Sequence, residues 1–328
     1  MGYDHAPMAR SHYPIQSARL ANRRAAIEMI TAAFCFATMA AIAHGFGGVA
    51  PWPSVALVRI AVTCVLMHIV VRVRGVPLVV WDKALWWRAI LGTCGLLCNF
   101  YALSRLPITD VVTILATAPV WVTVILVIVF RRPMPASVWL HAGLAAAGVY
   151  VMHRPTFSAE AIPLFIACGA AVIIGAAKVA LSYCAHVHPL AVVTHYATFG
   201  TLAALATTLL VHDPNVGHTD YSLGVWWWLV PMGVAGTLAQ FLMTMAYGRG
   251  VTTMVAIAGI SQIAFAGVYD RFVWGHTFDL WKMVGIIMIA TAIALSVNAN
   301  ARTAREHAAA HAALQEAEAG PAEEGARP

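Results

Sequence analysis

Six side chains stand out because their chemistry does not suit the apolar runs that hold them. Arg59, Lys178 and His195 carry or can acquire positive charge, Asn99 and Gln240 donate and accept hydrogen bonds, and Glu28 can hold a proton. An ionisable group at the centre of a membrane span costs about 2.5–3.5 kcal/mol on insertion scales, so each needs a reason to be there. Arg59 follows Pro53 by six positions, and its fork suits a carboxylate; the plainer reading is an arginine bonded to helix-end carbonyls. Lys178 is either a second cation facing a cavity or a long stem snorkelling to the interface. His195 follows Pro189 by six positions, as Arg59 follows Pro53, although a lone histidine is usually just hydrogen-bonded. His44 and His68 are weaker cases of the same kind. Glu28 is a candidate for proton or ion coupling, but Arg23 and Arg24 lie close enough to pair with it locally.

Two faces of small and polar residues accompany these groups. Gly92, Gly95, Asn99 and Ala102 recur at three- and four-residue steps, and so do Gly236, Gln240, Thr244 and Tyr247. Such faces let helices approach closely, and Asn99 and Gln240 on them suit either packing or substrate binding. Thr113, Thr117, Ser261 and Gln262 are milder members of the set. Pro119 frees a backbone carbonyl, which kinks the helix or offers an acceptor.

The elements that must position these residues are transmembrane helices. The 328 residues are 61% hydrophobic and only 10% charged, far below the quarter charged that a soluble chain carries. The apolar runs are continuous and many approach the roughly 20 residues that cross a bilayer, which excludes a β-barrel. The expected helices cover 25–43, 54–71, 89–103, 109–130, 136–152, 161–183, 189–211, 225–247, 251–272 and 278–297. Residues 1–24 form a basic segment, 25–153 and 161–300 hold five helices each, and 301–328 read as a cytoplasmic disordered tail. The loop from Arg72 to Arg88 is basic, with Trp81, Trp86 and Trp87 as interface anchors. The first apolar run resembles a signal peptide ending in Ala41-Ile42-Ala43, but cleavage would leave an incomplete set, so an uncleaved helix is expected.

The net charge of +6 implies orientation rather than nucleic-acid binding. With both termini cytoplasmic, thirteen Lys and Arg residues near the spans lie inside against four outside, Arg105, Arg154, Arg271 and Lys282. The six cysteines all fall in apolar runs and form no disulfide framework; Cys94 and Cys98 share a face but lack further metal ligands. No cofactor or metal is expected.

An internal duplication is visible at an offset of 144. Gly92, Thr93, Ala102, Arg105, Thr109 and Val111 fall on Gly236, Thr237, Ala246, Arg249, Thr253 and Val255. Two repeats of five helices must enter the membrane in opposite senses, giving an all-α membrane protein of ten helices in two inverted repeats. Arg105, in a connection between helices, is then a poorer substrate ligand than Asn99.

In order along the chain, the Pro53–Arg59 start of helix 2, the Asn99–Leu103 stretch, Ala118-Pro119 and the glycines Gly143 and Gly285 resemble the drug/metabolite transporter superfamily, EamA type. The resemblance covers residues 25–300. It implies secondary transport of small metabolites and a central cavity between the two halves. The family often carries a glutamate in a Gly-Glu context ending helices 4 and 9; this chain reads Arg131-Arg132-Pro133 and Trp274-Gly275-His276 there, so that role does not carry over. The similar four-helix multidrug exporters use a helix 1 glutamate for protons and cations, a role Glu28 would take.

The expectation is a transporter of a small organic metabolite with a carboxylate, working by alternating access with Arg59, Asn99, Lys178, His195 and Gln240 at the substrate. It would reside in a bacterial inner membrane, surrounded by lipid, with a homodimer as a compatible assembly. The alternatives are a proton-coupled exporter of cationic drugs using Glu28, and an integral membrane enzyme or lipid flippase. An enzyme would usually show clustered His, Asp or Glu at an interface loop; His186 and His188 lack a carboxylate nearby in sequence.

Overall fold

The computed structural model describes residues 15–44, 50–106, 111, 114–153, 161–211, 223–273 and 280–318. Asp110 and Thr113 lie outside these residues, as do the side chains of His44 and Asp270. All described regular structure is helical. The helices are α1 (Ile15–His44), α2 (Trp52–Arg74), α3 (Lys83–Arg105), α4 (Ala118–Ile128), α5 (Ala136–His153) and α6 (Ala161–Tyr183). There follow α7 (Pro189–Leu210), α8 (Leu223–Arg249), α9 (Thr252–Ala258), α10 (Ser261–Val273) and α11 (Leu280–Glu318). Among the described residues seven helical stretches are long and apolar enough to cross a membrane.

Local chemistry sets the helix starts. Pro53 and Pro189 sit in the first turns of α2 and α7, where a missing N–H costs nothing. The His188 Nδ1 accepts from the Leu190 N–H at 3.2 Å and caps α7. Asp82 caps α3, its Oδ1 accepting from the N–H groups of Ala84 (2.8 Å) and Leu85 (3.2 Å). This cap moves the helix start from the expected Ala89 back to Lys83, and Arg88 therefore belongs to the helix rather than to the loop. The chain leaves α2 through Gly75, whose φ of 62° is the left-handed conformation that glycine takes without penalty.

The expected ninth helix is two helices. After α9 the chain turns at Gly259 and Ile260 before α10 begins, and the Ser261 hydroxyl donates to the Ala258 carbonyl at 2.7 Å. The expected fourth helix is interrupted as well, at Ala116 and Thr117, just before α4. There the Thr117 hydroxyl donates to the Ile114 carbonyl at 2.6 Å, and Pro119 supplies no N–H to the preceding turn. At the break after α9 the Ser261 hydroxyl takes over a carbonyl freed from the helical ladder, whereas at the break before α4 the Thr117 hydroxyl shares the Ile114 carbonyl with the Thr117 N–H, 3.0 Å away.

The closest packings are α1 on α8, α3 on α6, α5 on α11 and α2 on α7, with α2 also against α8 and α3 against α7. Glycines allow these approaches. A Cβ on Gly148 of α5 would lie 2.9 Å from the Gly285 carbonyl oxygen of α11, whereas Gly143 has open space around it. The largest apolar cluster joins Ala25, Met29, Leu85, Cys184, Val187 and Tyr247, and so gathers α1, α3, α8 and the α6–α7 connection at one end of the bundle.

Candidate functional site

The charges inside the bundle come from four helices. Arg59 on α2 is 5% exposed. Its Nε lies 3.3 Å from the Met39 sulfur of α1, and its Nη1 is buried without an acceptor. Gly236 of α8 makes room for it: a Cβ there would sit 3.4 Å from the Arg59 Nε and 2.8 Å from the Met39 sulfur. Arg59 is not a snorkelling arginine, because its head is enclosed.

Arg88 on α3 is the second buried arginine, 4% exposed. Its guanidinium carbon lies 4.2 Å above the ring of Tyr196 on α7, a cation–π contact. Gly92, one turn on, has no side chain to collide with it; a Cβ there would fall 1.8 Å from Arg88 Nη1. By sequence alone Arg88 falls in a basic loop, which hides it. Two signals could have found it: the Asp82 cap, and the Arg88–Gly92 spacing of one helical turn.

The other expected residues are distributed as follows. Gln240 is 3% exposed on α8, on the same inward face as Thr244 and Tyr247. Asn99 on α3 has a buried Oδ1 without a partner. Its neighbours Gly95 and Ala102 serve packing, Gly95 against Ile174 of α6 and Ala102 in a cluster with Ala167 and Ala171. His195 on α7 has an unpartnered, buried Nδ1 and meets the Trp86 ring edge-on, centroids 4.9 Å apart. Lys178 on α6 is half-buried and has no carboxylate partner among the described residues. His68 bonds its own helix, Nδ1 to the Cys64 carbonyl at 2.8 Å, which is a structural role.

Glu28 makes the local pair expected of it, with Arg24, and adds a partner from another helix. It is 7% exposed and accepts from Arg249 at the end of α8, with Arg24 Nε 3.4 Å away on its own helix. Its second oxygen is buried without a partner. At the same end of the bundle His186, after α6, meets the Asp82 carboxylate at 2.7 Å. Burial by itself would raise the Asp82 carboxyl, but the His186 contact and the Leu85 and Ala84 N–H groups outweigh it and hold Asp82 below the usual carboxylate range.

A polar seam continues between α2 and α8, where the Thr237 hydroxyl donates to Thr63 at 2.9 Å. Thr93, at the corresponding place on α3, has a buried hydroxyl with no partner and would lie 3.3 Å from a Cβ on Gly200 of α7. No group of three or more His, Cys, Asp or Glu suited to a metal occurs among the described residues. An apolar groove between α1 and α8, lined by Phe34, Val230, Pro231 and Leu238, offers little polar chemistry.

Residues 23–154 and again 161–298 match the EamA-like transporter family. The chain is 25% identical over 271 residues to the pseudopaline exporter CntI of Pseudomonas aeruginosa, covering 81% of this chain and 94% of that one. It is 21% identical to the probable transport protein YPL264C of Saccharomyces cerevisiae, over 75% of this chain and 78% of that one. A solved crystal structure shares the fold, with a TM-score of 0.69 at 16% identity over 84% of this chain and 96% of that one.

Proposed function

The chain belongs to the EamA-like transporter family, a membrane transporter of the drug/metabolite type, and on that premise we propose that it moves a small carboxylate-bearing metabolite by alternating access. The observation that carries this reading is Arg59. It is enclosed, holds an unused N–H donor at Nη1, and has no carboxylate partner among the described residues. A buried cation without a counter-charge is costly, and an anionic substrate would supply the missing partner each time it binds. Asn99, Gln240, His195 and Lys178 are the proposed further contacts. The direction is outward, by analogy with the pseudopaline exporter.

The proposed architecture is ten spans in two inverted repeats, 25–153 and 161–300, with both termini cytoplasmic in a bacterial inner membrane. Three observations support it. The packing of α1 on α8 has its counterpart in α6 on α3, and α2 on α8 in α7 on α3. The hydroxyl bonds Thr117 to Ile114 and Ser261 to Ala258 fall on one another at the offset of 144. Gly92 and Gly236, paired at the same offset, each admit a residue of the opposite half or its cation: Tyr196 with Arg88, and Arg59 with Met39. Interrupted helices at matching places in two halves mark the usual site of transport.

Reconstitution into liposomes tests the function. Uptake or counterflow of labelled amino acids and organic acids is expected, and Arg59→Gln should reduce it by at least about tenfold, the loss of one charge-assisted bond. Vigorous transport of organic cations with carboxylates excluded would overturn the reading. The cationic-drug alternative needs a Glu28 free to take up protons; its contact with Arg249 speaks against that.

A further inference from the structure

Arg59 and Arg88 arise on different helices and converge. Ile60, the chain neighbour of Arg59, belongs to one apolar cluster with Tyr196, the ring on which Arg88 rests. The helices that carry them, α2 and α3, pack on one another, and neither guanidinium is in an ion pair among the described residues. Both residues are more than nine-tenths buried. Two enclosed like charges disfavour one another and each lacks its water, so this pairing is expensive unless a ligand offsets it.

The unsatisfied groups around the pair indicate the ligand's chemistry. Arg59 Nη1, the Tyr247 hydroxyl and the Thr93 hydroxyl are all buried without partners, and all can donate. Tyr247 shares an apolar cluster with Leu85, three residues before Arg88 on α3, and Thr93 faces the same Gly200 contact as Ile60. Donors beside two cations call for acceptors that carry negative charge. Because Arg59 leans on α1 and α8 while Arg88 lies over α7, each guanidinium is placed to meet its own acceptor.

The geometry points to a site for a substrate with two separate anionic groups, a dicarboxylate or larger polycarboxylate, with Arg59 holding one carboxylate and Arg88 the other. This rests on the reading of Arg59 as a carboxylate ligand and adds Arg88 as the residue that selects the second charge.

Thermal midpoints of the purified full-length protein in detergent test it, with glutarate, butyrate and inorganic phosphate titrated at constant ionic strength. Glutarate should bind at least about tenfold tighter than butyrate, as expected for a second charged contact. Arg88→Gln should bring that preference ratio to about one. Should that variant fail to fold, Arg88→Lys keeps the charge but loses the planar fork, and it should lower the ratio several-fold. A preference that persists undiminished in the Arg88 variants overturns the inference, as does phosphate binding as tightly as glutarate. Equal binding of glutarate and butyrate that still depends on Arg59 removes the second site and leaves the proposed function standing. Failure of both carboxylates to bind the wild type removes both.

Discussion

The Glu28 carboxylate on α1 accepts a hydrogen bond from the Arg249 guanidinium on α8, joining the first long helix to the eighth at one end of the bundle. The two residues are 221 positions apart. Their contact closes the same end at which Asp82 and His186 join α3 to the α6–α7 connection. Arg249 is partly exposed, so solvent screens the attraction, while Glu28 is enclosed. Arg249→Ala is therefore expected to destabilise by about 1–3 kcal/mol, mainly by leaving a buried carboxylate short of donors. Glu28→Gln should cost less and retain transport. Thermal midpoints and liposome flux measure the two. Lost flux with unchanged stability in Glu28→Gln would make Glu28 a coupling carboxylate instead.

Asp82 gives the closed end a dependence on pH. Its carboxyl is held below the ordinary value, so its stabilisation is present above the unfolded pKa of about 3.9 and fades as pH falls through the folded one. Asp82→Ala should lower stability by about 1 kcal/mol at neutral pH through loss of the cap, and the difference from wild type should shrink below about pH 4. Melting curves from pH 3 to 7 would check this; a gap that widens on acidification contradicts it.

Two glycine substitutions should separate packing from site geometry. A Cβ on Gly148 meets the backbone carbonyl of Gly285, which cannot swing away, so Gly148→Ala should destabilise by about 1–3 kcal/mol. A Cβ on Gly92 meets chiefly the flexible end of Arg88, so Gly92→Ala should displace the guanidinium and weaken substrate binding more than folding. Thermal midpoints and substrate titrations on both variants give the comparison. Equal losses of stability would show that Arg88 has no room to move.

Among the described residues Lys178 has no carboxylate partner to lose. Lys178→Met should leave stability unchanged or raise it by about 1 kcal/mol, since it removes a charge and keeps the apolar stem. If Lys178 contacts substrate, flux falls in the same variant. A marked drop in the thermal midpoint would mean that the ammonium is structurally engaged.

The broken helices should govern rate rather than affinity. Pro119→Ala restores an N–H and favours a continuous helix, so turnover should fall while substrate affinity stays within about twofold. Separate measurement of the half-saturation constant and the maximal rate checks it; a change confined to affinity would count against a hinge.

Much of the helical framework was legible in the chain. Proline marks the starts of α2 and α7, and the apolar runs place most helices within a few residues. Arg59 is legible because an arginine in such a run is anomalous on one-dimensional grounds. Arg88 is not, because its helix start depends on a single capping side chain at Asp82 beside a basic, tryptophan-rich stretch. The break before Ser261 is not legible either, since hydroxyl-to-carbonyl bonding at a helix end leaves little compositional trace.

Composition and the length of the apolar runs by themselves determined an all-helical membrane protein, because a bilayer tolerates backbone only when its hydrogen bonds close within the element. Only the tertiary structure decided which charges meet. Glu28 pairs with Arg249 in addition to its helical neighbour Arg24, and Arg59 and Arg88 are enclosed on helices that pack on one another. The physical reason is that electrostatic partnership depends on distance in space, and helices far apart in sequence are brought side by side by glycines such as Gly92 and Gly236, whose neighbours across the bundle, Tyr196 and Met39, no local pattern reveals.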